Sequence, residues 1–228
     1  DDIFGNGPND PVEGVNDDGG RVYFKIPPEK ELGLGRHRVR LVVRGDLSGT
    51  DVYIEVVPKG TPIFVTDIDG TLTESEYIEF SALLQGELPP VHADAAKAFS
   101  ILVSKGYRPM YLTARPEWLG QRTRDVLAAN NFPPGIVHTT VTDTGAVGGS
   151  AVDYKTGELA MLKARDLVPS LGFGNAESDA EAYDNGQIQP VGDRIFYQFD
   201  DVAFGGRRIE SYTQLLEEFE ARPDAVCP

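Results

Sequence analysis

A single cysteine, Cys227, stands in the whole chain, so no internal disulfide can brace the fold and the redox compartment is left open. No segment approaches the roughly 18–20 consecutive apolar residues that a membrane-spanning helix requires. Positive charge is also scarce: 21 Lys and Arg face 36 Asp and Glu, for a formal net charge of -15. A field of that sign repels phosphate backbones, which excludes general nucleic-acid binding, and it disfavours loose adhesion to anionic lipid. An initiating methionine is missing too. The chain opens on Asp1-Asp2, which reads as a processed or trimmed form, and the expectation is an exported (periplasmic or secreted) bacterial protein, soluble or peripheral to a membrane. There is no internal repeat.

What the chain does have is enough apolar material for one sizeable core with a small appended module: 228 residues, 40% of them hydrophobic. Residues 1–20 are rich in Gly, Asn, Asp and Pro and read as a flexible lead-in. Residues 21–60 carry strand signals. Val22 to Ile26 is one; in the next, Val39, Leu41 and Val43 alternate with Arg38, Arg40 and Arg44; Asp51 to Val57 follows after turn chemistry at Arg44 to Thr50. These make a small antiparallel β module, immunoglobulin-like in character. From residue 61 to 228 the texture changes to apolar strands alternating with helical stretches. The expected strands are Ile63–Thr66, Pro109–Thr113, Leu171–Phe173 and Ile195–Phe199. The expected helices are Ala93–Lys105, Pro116–Asn130, Lys155–Leu167, Asp179–Asn185 and Ser211–Ala221. Alternation of this kind predicts an α/β domain, a doubly wound, mostly parallel sheet with helices on both faces, whose ligands bind beyond the carboxyl ends of the strands.

At one such end the chemistry concentrates. The apolar strand Ile63-Phe64-Val65 runs into Thr66-Asp67-Ile68-Asp69-Gly70-Thr71. Two carboxylates one residue apart at a buried strand end are costly unless a cation or hydrogen-bond donors compensate them. Mg²⁺ is the natural cation, since it prefers hard oxygen ligands and shares its shell with phosphate. Asp67 can attack phosphorus in line, and Asp69 can protonate the leaving oxygen and then deprotonate the hydrolytic water. The plainer reading is a surface Asp-Gly turn with no chemistry. Further along, Thr113 closes the strand Tyr111-Leu112-Thr113 and is followed by Ala114-Arg115. Lys155 opens a helix, with Lys163 as the alternative cation, and Gly174-Asn175-Ala176-Glu177-Ser178-Asp179 follows the strand Leu171-Gly172-Phe173. The segment Thr139 to Asp153, rich in Gly, Thr and Asp, reads as a loop over the site.

Asp-Ile-Asp-Gly-Thr after an apolar strand resembles the first motif of the haloacid-dehalogenase-like (HAD-like) phosphatase superfamily. Thr113, Lys155 and the Asn175 to Asp179 segment then resemble its second, third and fourth motifs in order. The resemblance implies an aspartyl-phosphate intermediate on Asp67, with Asp69, Thr113 and Lys155 as the other catalytic residues. It also implies Mg²⁺ held by Asp67, Asp69 and Asp179, and substrate contacts from Gly70, Thr71, Ala114, Arg115 and Asn175. Within the superfamily, Phe173-Gly174-Asn175 with Asp179 and Ala182-Tyr183, together with Thr113-Ala114-Arg115, Thr123-Arg124 and Arg194-Ile195-Phe196, is similar to the catalytic region of lipins. That likeness, over roughly Pro62 to Phe219, implies hydrolysis of phosphatidate to diacylglycerol and phosphate at a membrane surface. The gaps between the first and second motifs, and between the second and the lysine, are too short for a folded cap domain, which suits phosphate carried on a bulky molecule. Two alternatives stay open: a soluble phosphomonoester as substrate, or a non-catalytic phosphatidate-binding module. Related lipid-binding domains that resemble lipins have lost catalytic carboxylates, whereas this chain keeps Asp67, Asp69 and Asp179.

Overall fold

The computed structural model describes residues 25–74, 87–200 and 203–225 in full, and the strand backbone at 8–12, 15–18 and 21–23; Phe24 and Cys227 lie outside these ranges. The chain divides into two compact units, Asp1–Val56 and Val57–Pro228.

The first unit is antiparallel β structure. Strands β1 (Pro8–Val12), β2 (Val15–Asp18) and β3 (Arg21–Tyr23) form one three-stranded sheet, and β4 (Gly35–Val42) pairs with β5 (Gly49–Val56) along its whole length. The expected flexible lead-in is corrected here. Asn16, Asp17 and Asp18 pair with Tyr23, Val22 and Arg21, because backbone N–H and C=O groups form a ladder whatever the side chains, and residues of low strand preference are recruited by a neighbouring strand. In the β4–β5 hairpin the alternation holds: Arg38 lies opposite Tyr53, and Arg40 opposite Asp51, which accepts from it at 3.3 Å.

The second unit is the α/β domain. Among the described residues its sheet has six strands, β6 (Pro62–Thr66), β7 (Arg108–Pro116), β8 (Ile136–Thr140), β9 (Val168–Gly174), β10 (Arg194–Tyr197) and β11 (Arg207–Ile209). They lie in the order β11-β10-β9-β6-β7-β8, and every pairing is parallel. The helices are α1 (Ala95–Ser104), α2 (Gly120–Ala129), α3 (Gly149–Ala164), α4 (Glu177–Asn185) and α5 (Leu216–Ala221). Both faces of the sheet are covered, and the two-residue period of a strand shows how. Phe64 packs with Phe99 and Leu102 of α1 and Phe219 of α5, while its neighbours Ile63 and Val65 belong to the opposite core with Leu159 of α3 and Tyr183 of α4. Strand β6 is buried on both faces, which is why it reads as an unbroken apolar run.

Two edge strands, β8 and β11, carried too little pattern to be read in advance. Residues of β8 are mostly half-buried, and β11 has three residues. The expected loop at Thr139 to Asp153 is also corrected at both ends. Thr140 closes β8, and Gly149 already begins α3, since Gly148 (φ +54°) supplies the turn that lets the helix start well before Lys155. Between β6 and α1 lie residues 67–94, and between β7 and α3 lie β8, α2 and their connections. Among the described residues the domain is doubly wound without a large cap.

Candidate active site

The central strand β6 delivers Asp67 to the carboxyl edge of the sheet, where its N–H is taken by the Phe173 carbonyl of β9 at 2.9 Å. The chain then turns tightly: Ile68 and Leu72 drop into the core, and the Leu72 N–H returns to the Ile68 carbonyl at 2.8 Å. Gly70 sits at φ +74°, a conformation costly for any residue with a Cβ. A Cβ there would also lie 2.2 Å from Asn175 Nδ2. Gly70→Ala should therefore displace Asn175 and lower turnover by at least ~10-fold, while Gly157→Ala, at an ordinary helical position in α3 with open space around its Cβ, should leave turnover within about 2-fold. Steady-state kinetics of the two variants check this. Tyr212 supports the turn from beneath, donating to the Thr71 carbonyl at 2.9 Å.

Asp67 is 6% exposed and Asp179 is 1% exposed, and Lys155 lies between them. Its ammonium donates to Asp67 Oδ1 at 2.8 Å and to Asp179 Oδ1 at 2.5 Å. Lys163, the alternative cation, is exposed and bonds Gln187 instead. The Thr71 hydroxyl donates to Asn175 Oδ1 at 2.9 Å and lies 3.3 Å from Asp67 Oδ2. Asp179 Oδ2 accepts the backbone N–H groups of Asn175 and Ala176 at 3.0 and 3.2 Å, so this carboxylate also caps the start of α4, where the helix dipole favours negative charge.

Asp69 is held from the other side. Arg115 Nε donates to its Oδ2 at 2.8 Å and Nη2 to its Oδ1 at 2.5 Å, while Nη1 donates to Thr123 of α2 at 3.0 Å. Thr113, buried within β7, which runs on to Pro116, accepts the Arg115 N–H at 3.2 Å and directs its hydroxyl to Asp69 Oδ2 at 3.4 Å. Ala114 lines the cleft and holds the β8–α3 connection through Ala146, whose N–H bonds its carbonyl at 2.9 Å. The structure thus brings all ten predicted site residues to one edge of the sheet, with Arg115 engaged by Asp69.

Three carboxylates (Asp67, Asp69, Asp179) share this edge with two cations (Lys155, Arg115). Burial is the main force pushing the Asp67 carboxyl up to about 7. Lys155 opposes the rise, and the charges on Asp179 and Asp69 add to it. Lys155 moves up as well, because two carboxylates outweigh the penalty of burying its charge. Both directions describe a pocket one positive charge short. Among the described residues no three His, Cys, Asp or Glu side chains converge as a ready-made metal cage. The carboxylate of Asp69, expected as a third ligand, is taken by Arg115. A hard divalent ion needs less than a full cage, since Mg²⁺ is commonly held by one or two carboxylates, waters and substrate phosphate.

The site opens into a cleft of about 1090 Å³. Part of its wall was not foreseen. His92 stacks on Tyr197 with ring centroids 3.8 Å apart, and burial pulls its pKa down. Trp118 and Val147 line the cleft with exposures of 61% and 83%, and the Trp118 indole N–H is tied to the Asp143 carbonyl at 2.9 Å. No local sequence signal marks His92, Tyr197 or Trp118, which come from separate elements and meet only when the strands are ordered; Val147 falls in the segment expected as a loop over the site.

Comparison with known proteins places this arrangement. Residues 64–197, which include every predicted site residue, match the family described as PITM 1-3, LNS2 domain. The chain belongs to that LNS2 family. Residues 12–56 match the PITM 1-3 beta-sandwich domain. The chain is 39% identical over 123 residues to membrane-associated phosphatidylinositol transfer protein 2 of Homo sapiens, covering 54% of this chain and 9% of that protein. It is 29% identical over 204 residues to protein retinal degeneration B of Drosophila melanogaster, covering 90% of this chain and 15% of that protein. The chain therefore spans a small fraction of the length of these relatives. A crystal structure assigned as a HAD-like phosphatase from Mesorhizobium loti superposes with a TM-score of 0.51 at 14% identity, over 82% of this chain and 94% of that one. The LNS2 region accordingly has a HAD-like fold.

Proposed function

We propose that this LNS2 domain is a Mg²⁺-dependent phosphatase that works through an aspartyl-phosphate on Asp67 and acts on phosphatidate. The observation that carries the reading is the buried chain Asp67–Lys155–Asp179, set beside Asp69 at the carboxyl edge of a HAD-like sheet. Asp67 is the attacking carboxylate. Lys155 screens it from the incoming phosphate and holds it facing the cleft. Asp69 supplies and removes the proton at the leaving oxygen and the water, and Thr71, Thr113 and Asn175 offer hydrogen bonds to phosphate oxygens. Asp67 and Asp179, with help from the Asp69 segment, would hold the Mg²⁺, which supplies charge neutralisation for the transferring phosphoryl group.

The lipid part of the proposal rests on three supports. Among the described residues the cleft has no large cap. Its lip carries the exposed apolar side chains Trp118 and Val147. Relatives of the chain are named as membrane-associated phosphatidylinositol transfer proteins. Those names also favour a second reading, a phosphatidate-binding module without turnover; a soluble phosphomonoester is the third. Phosphate release from phosphatidate in mixed micelles, with and without Mg²⁺, and from a panel of soluble phosphomonoesters, separates them. The proposal expects Mg²⁺-dependent release from phosphatidate that is lost on adding EDTA. Turnover confined to soluble esters would overturn the lipid substrate, and saturable phosphatidate binding without any release would establish the binding module.

A further inference from the structure

Arg115 was expected to meet an anion from the substrate, and its surroundings assign it other work. The side chain is 6% exposed, and its three guanidinium nitrogens face protein acceptors: Nε and Nη2 form a side-on fork to both oxygens of Asp69, and Nη1 reaches Thr123, which is fully buried. Its backbone is fixed as well, the N–H by Thr113 Oγ1 at 3.2 Å and the carbonyl by Thr140 Oγ1 at 3.2 Å. A planar two-point fork fixes the orientation of a carboxylate, which a single ammonium cannot do. An ionised carboxylate offers about four acceptor positions; with Thr113 also on Oδ2, the fork leaves room for a proton or a water on Oδ1.

We infer that Arg115 is a positioning residue: braced by Thr123, it sets the plane of Asp69 so that this carboxyl delivers its proton to the departing oxygen, and the pair thereby equips the enzyme for leaving groups that need protonation. This rests on the phosphatase reading above. The step is the breaking of the P–O bond to the leaving group as the Asp67 carboxylate oxygen bonds to phosphorus. The bonding pair stays on the leaving oxygen, and the Asp69 proton joins it to give a neutral alcohol. An alkoxide leaves poorly without that proton, whereas a nitrophenolate leaves without it. Loss of correct aim should therefore be felt on alkyl esters and much less on activated aryl esters.

The test compares kcat/KM for an alkyl phosphomonoester, short-chain phosphatidate, with that for p-nitrophenyl phosphate. This parameter reports events through leaving-group departure, so the later hydrolysis of the phosphoenzyme does not enter it. Arg115→Met should lower kcat/KM on the alkyl ester by about 10²-fold and on the aryl ester by less than about 10-fold, with the loss in kcat and not in KM. Arg115→Lys keeps the charge without the fork and should not restore the alkyl rate. Thr123→Val, which keeps the volume and removes the brace, should shift selectivity in the same direction by a smaller factor. In an Asp69→Asn background Arg115→Met should cost nothing more on the alkyl ester. Equal losses on both esters, a loss carried by KM, full rescue by lysine, or a rise in turnover showing that the fork parks Asp69 away from the reaction would each overturn the inference. Wild-type protein inactive on both esters would instead overturn the phosphatase reading on which it stands.

Discussion

Asp67→Asn should abolish phosphate release while making the metal-free protein more stable. The loss of turnover follows from chemistry: an amide oxygen cannot take the phosphoryl group, and removing a nucleophile costs at least ~10⁴-fold. The gain in stability follows from the electrostatics of the pocket. Burial, together with Asp179 and Asp69, raises the Asp67 carboxyl from 3.8 to about 7 in the fold. Between those values the folded chain binds more protons than the unfolded one, so stability falls as pH rises from about 4 to about 7 and then levels off. An asparagine has no such dependence. The variant and the wild type should match near pH 4 and separate as pH rises, the variant ahead by on the order of 2–4 kcal/mol at pH 8. Urea unfolding at pH 4, 6 and 8 in EDTA measures the gap. A variant less stable than wild type at pH 8 would mean that the Lys155 ion pair outweighs the burial of Asp67. Added Mg²⁺ should narrow the gap, since a bound cation stabilises the ionised wild-type site.

Lys155→Met carries the opposite sign. The ammonium is 3% exposed and is the direct hydrogen-bond partner of both Asp67 and Asp179. Methionine fills much the same volume, so the change isolates the charge. Removing one member of a buried ion cluster leaves its partners uncompensated, at a cost of about 3–5 kcal/mol. Without the ammonium the Asp67 carboxyl loses the charge that opposes its rise and moves up further, and the pocket takes a proton that the unfolded chain does not hold. The cost should therefore be greatest at pH 8 and shrink towards pH 5. Turnover should fall below detection at pH 5 and at pH 8, because a protonated Asp67 is no nucleophile and an ionised one lacks the ammonium that screens it from the incoming phosphate. Paired unfolding curves at pH 5 and pH 8 decide this. A pH-independent loss would show that packing around α3, and not charge, is what methionine disturbs. Lys163→Met, on the exposed face of the same helix and bonded to Gln187, should change neither stability nor turnover by more than small amounts.

The two variants also show which parts of the site could be read from the sequence. Asp67, Asp69 and Asp179 were legible because each follows an apolar strand, and strand ends in a parallel sheet converge on one edge. Lys155 was one of two candidates on the same helix. Only the helix phase decides between them, and α3 begins at Gly149, a start hidden by a glycine-rich stretch that looked like loop. The role of Arg115 was not legible. A basic residue after a strand end fits an anion from the substrate as well as a carboxylate from the protein, and the choice depends on Thr123 being brought alongside by α2. The cleft wall of His92, Tyr197, Trp118 and Val147 is assembled from residues remote in sequence, none with a motif of its own. Strands β1 and β2 were missed for a different reason. They are formed by backbone pairing, β1 with β2 and β2 with β3, which an Asn- and Asp-rich sequence does not announce.

The gap between the fold and its named relatives narrows the question to Asp67. A lipid-binding module has no use for a carboxylate buried at the foot of the cleft, whereas a phosphatase needs one, paired with a lysine that favours its ionised form and facing the cleft. The most direct measurement is therefore acid quench of the wild-type protein during Mg²⁺-supported turnover of short-chain phosphatidate, followed by peptide mass spectrometry. The account predicts one phosphoryl group on the peptide that contains Asp67, labile to hydroxylamine as an acyl phosphate is, and absent from Asp67→Asn. Sustained phosphate release with no such adduct, or an adduct that persists in Asp67→Asn, would contradict it.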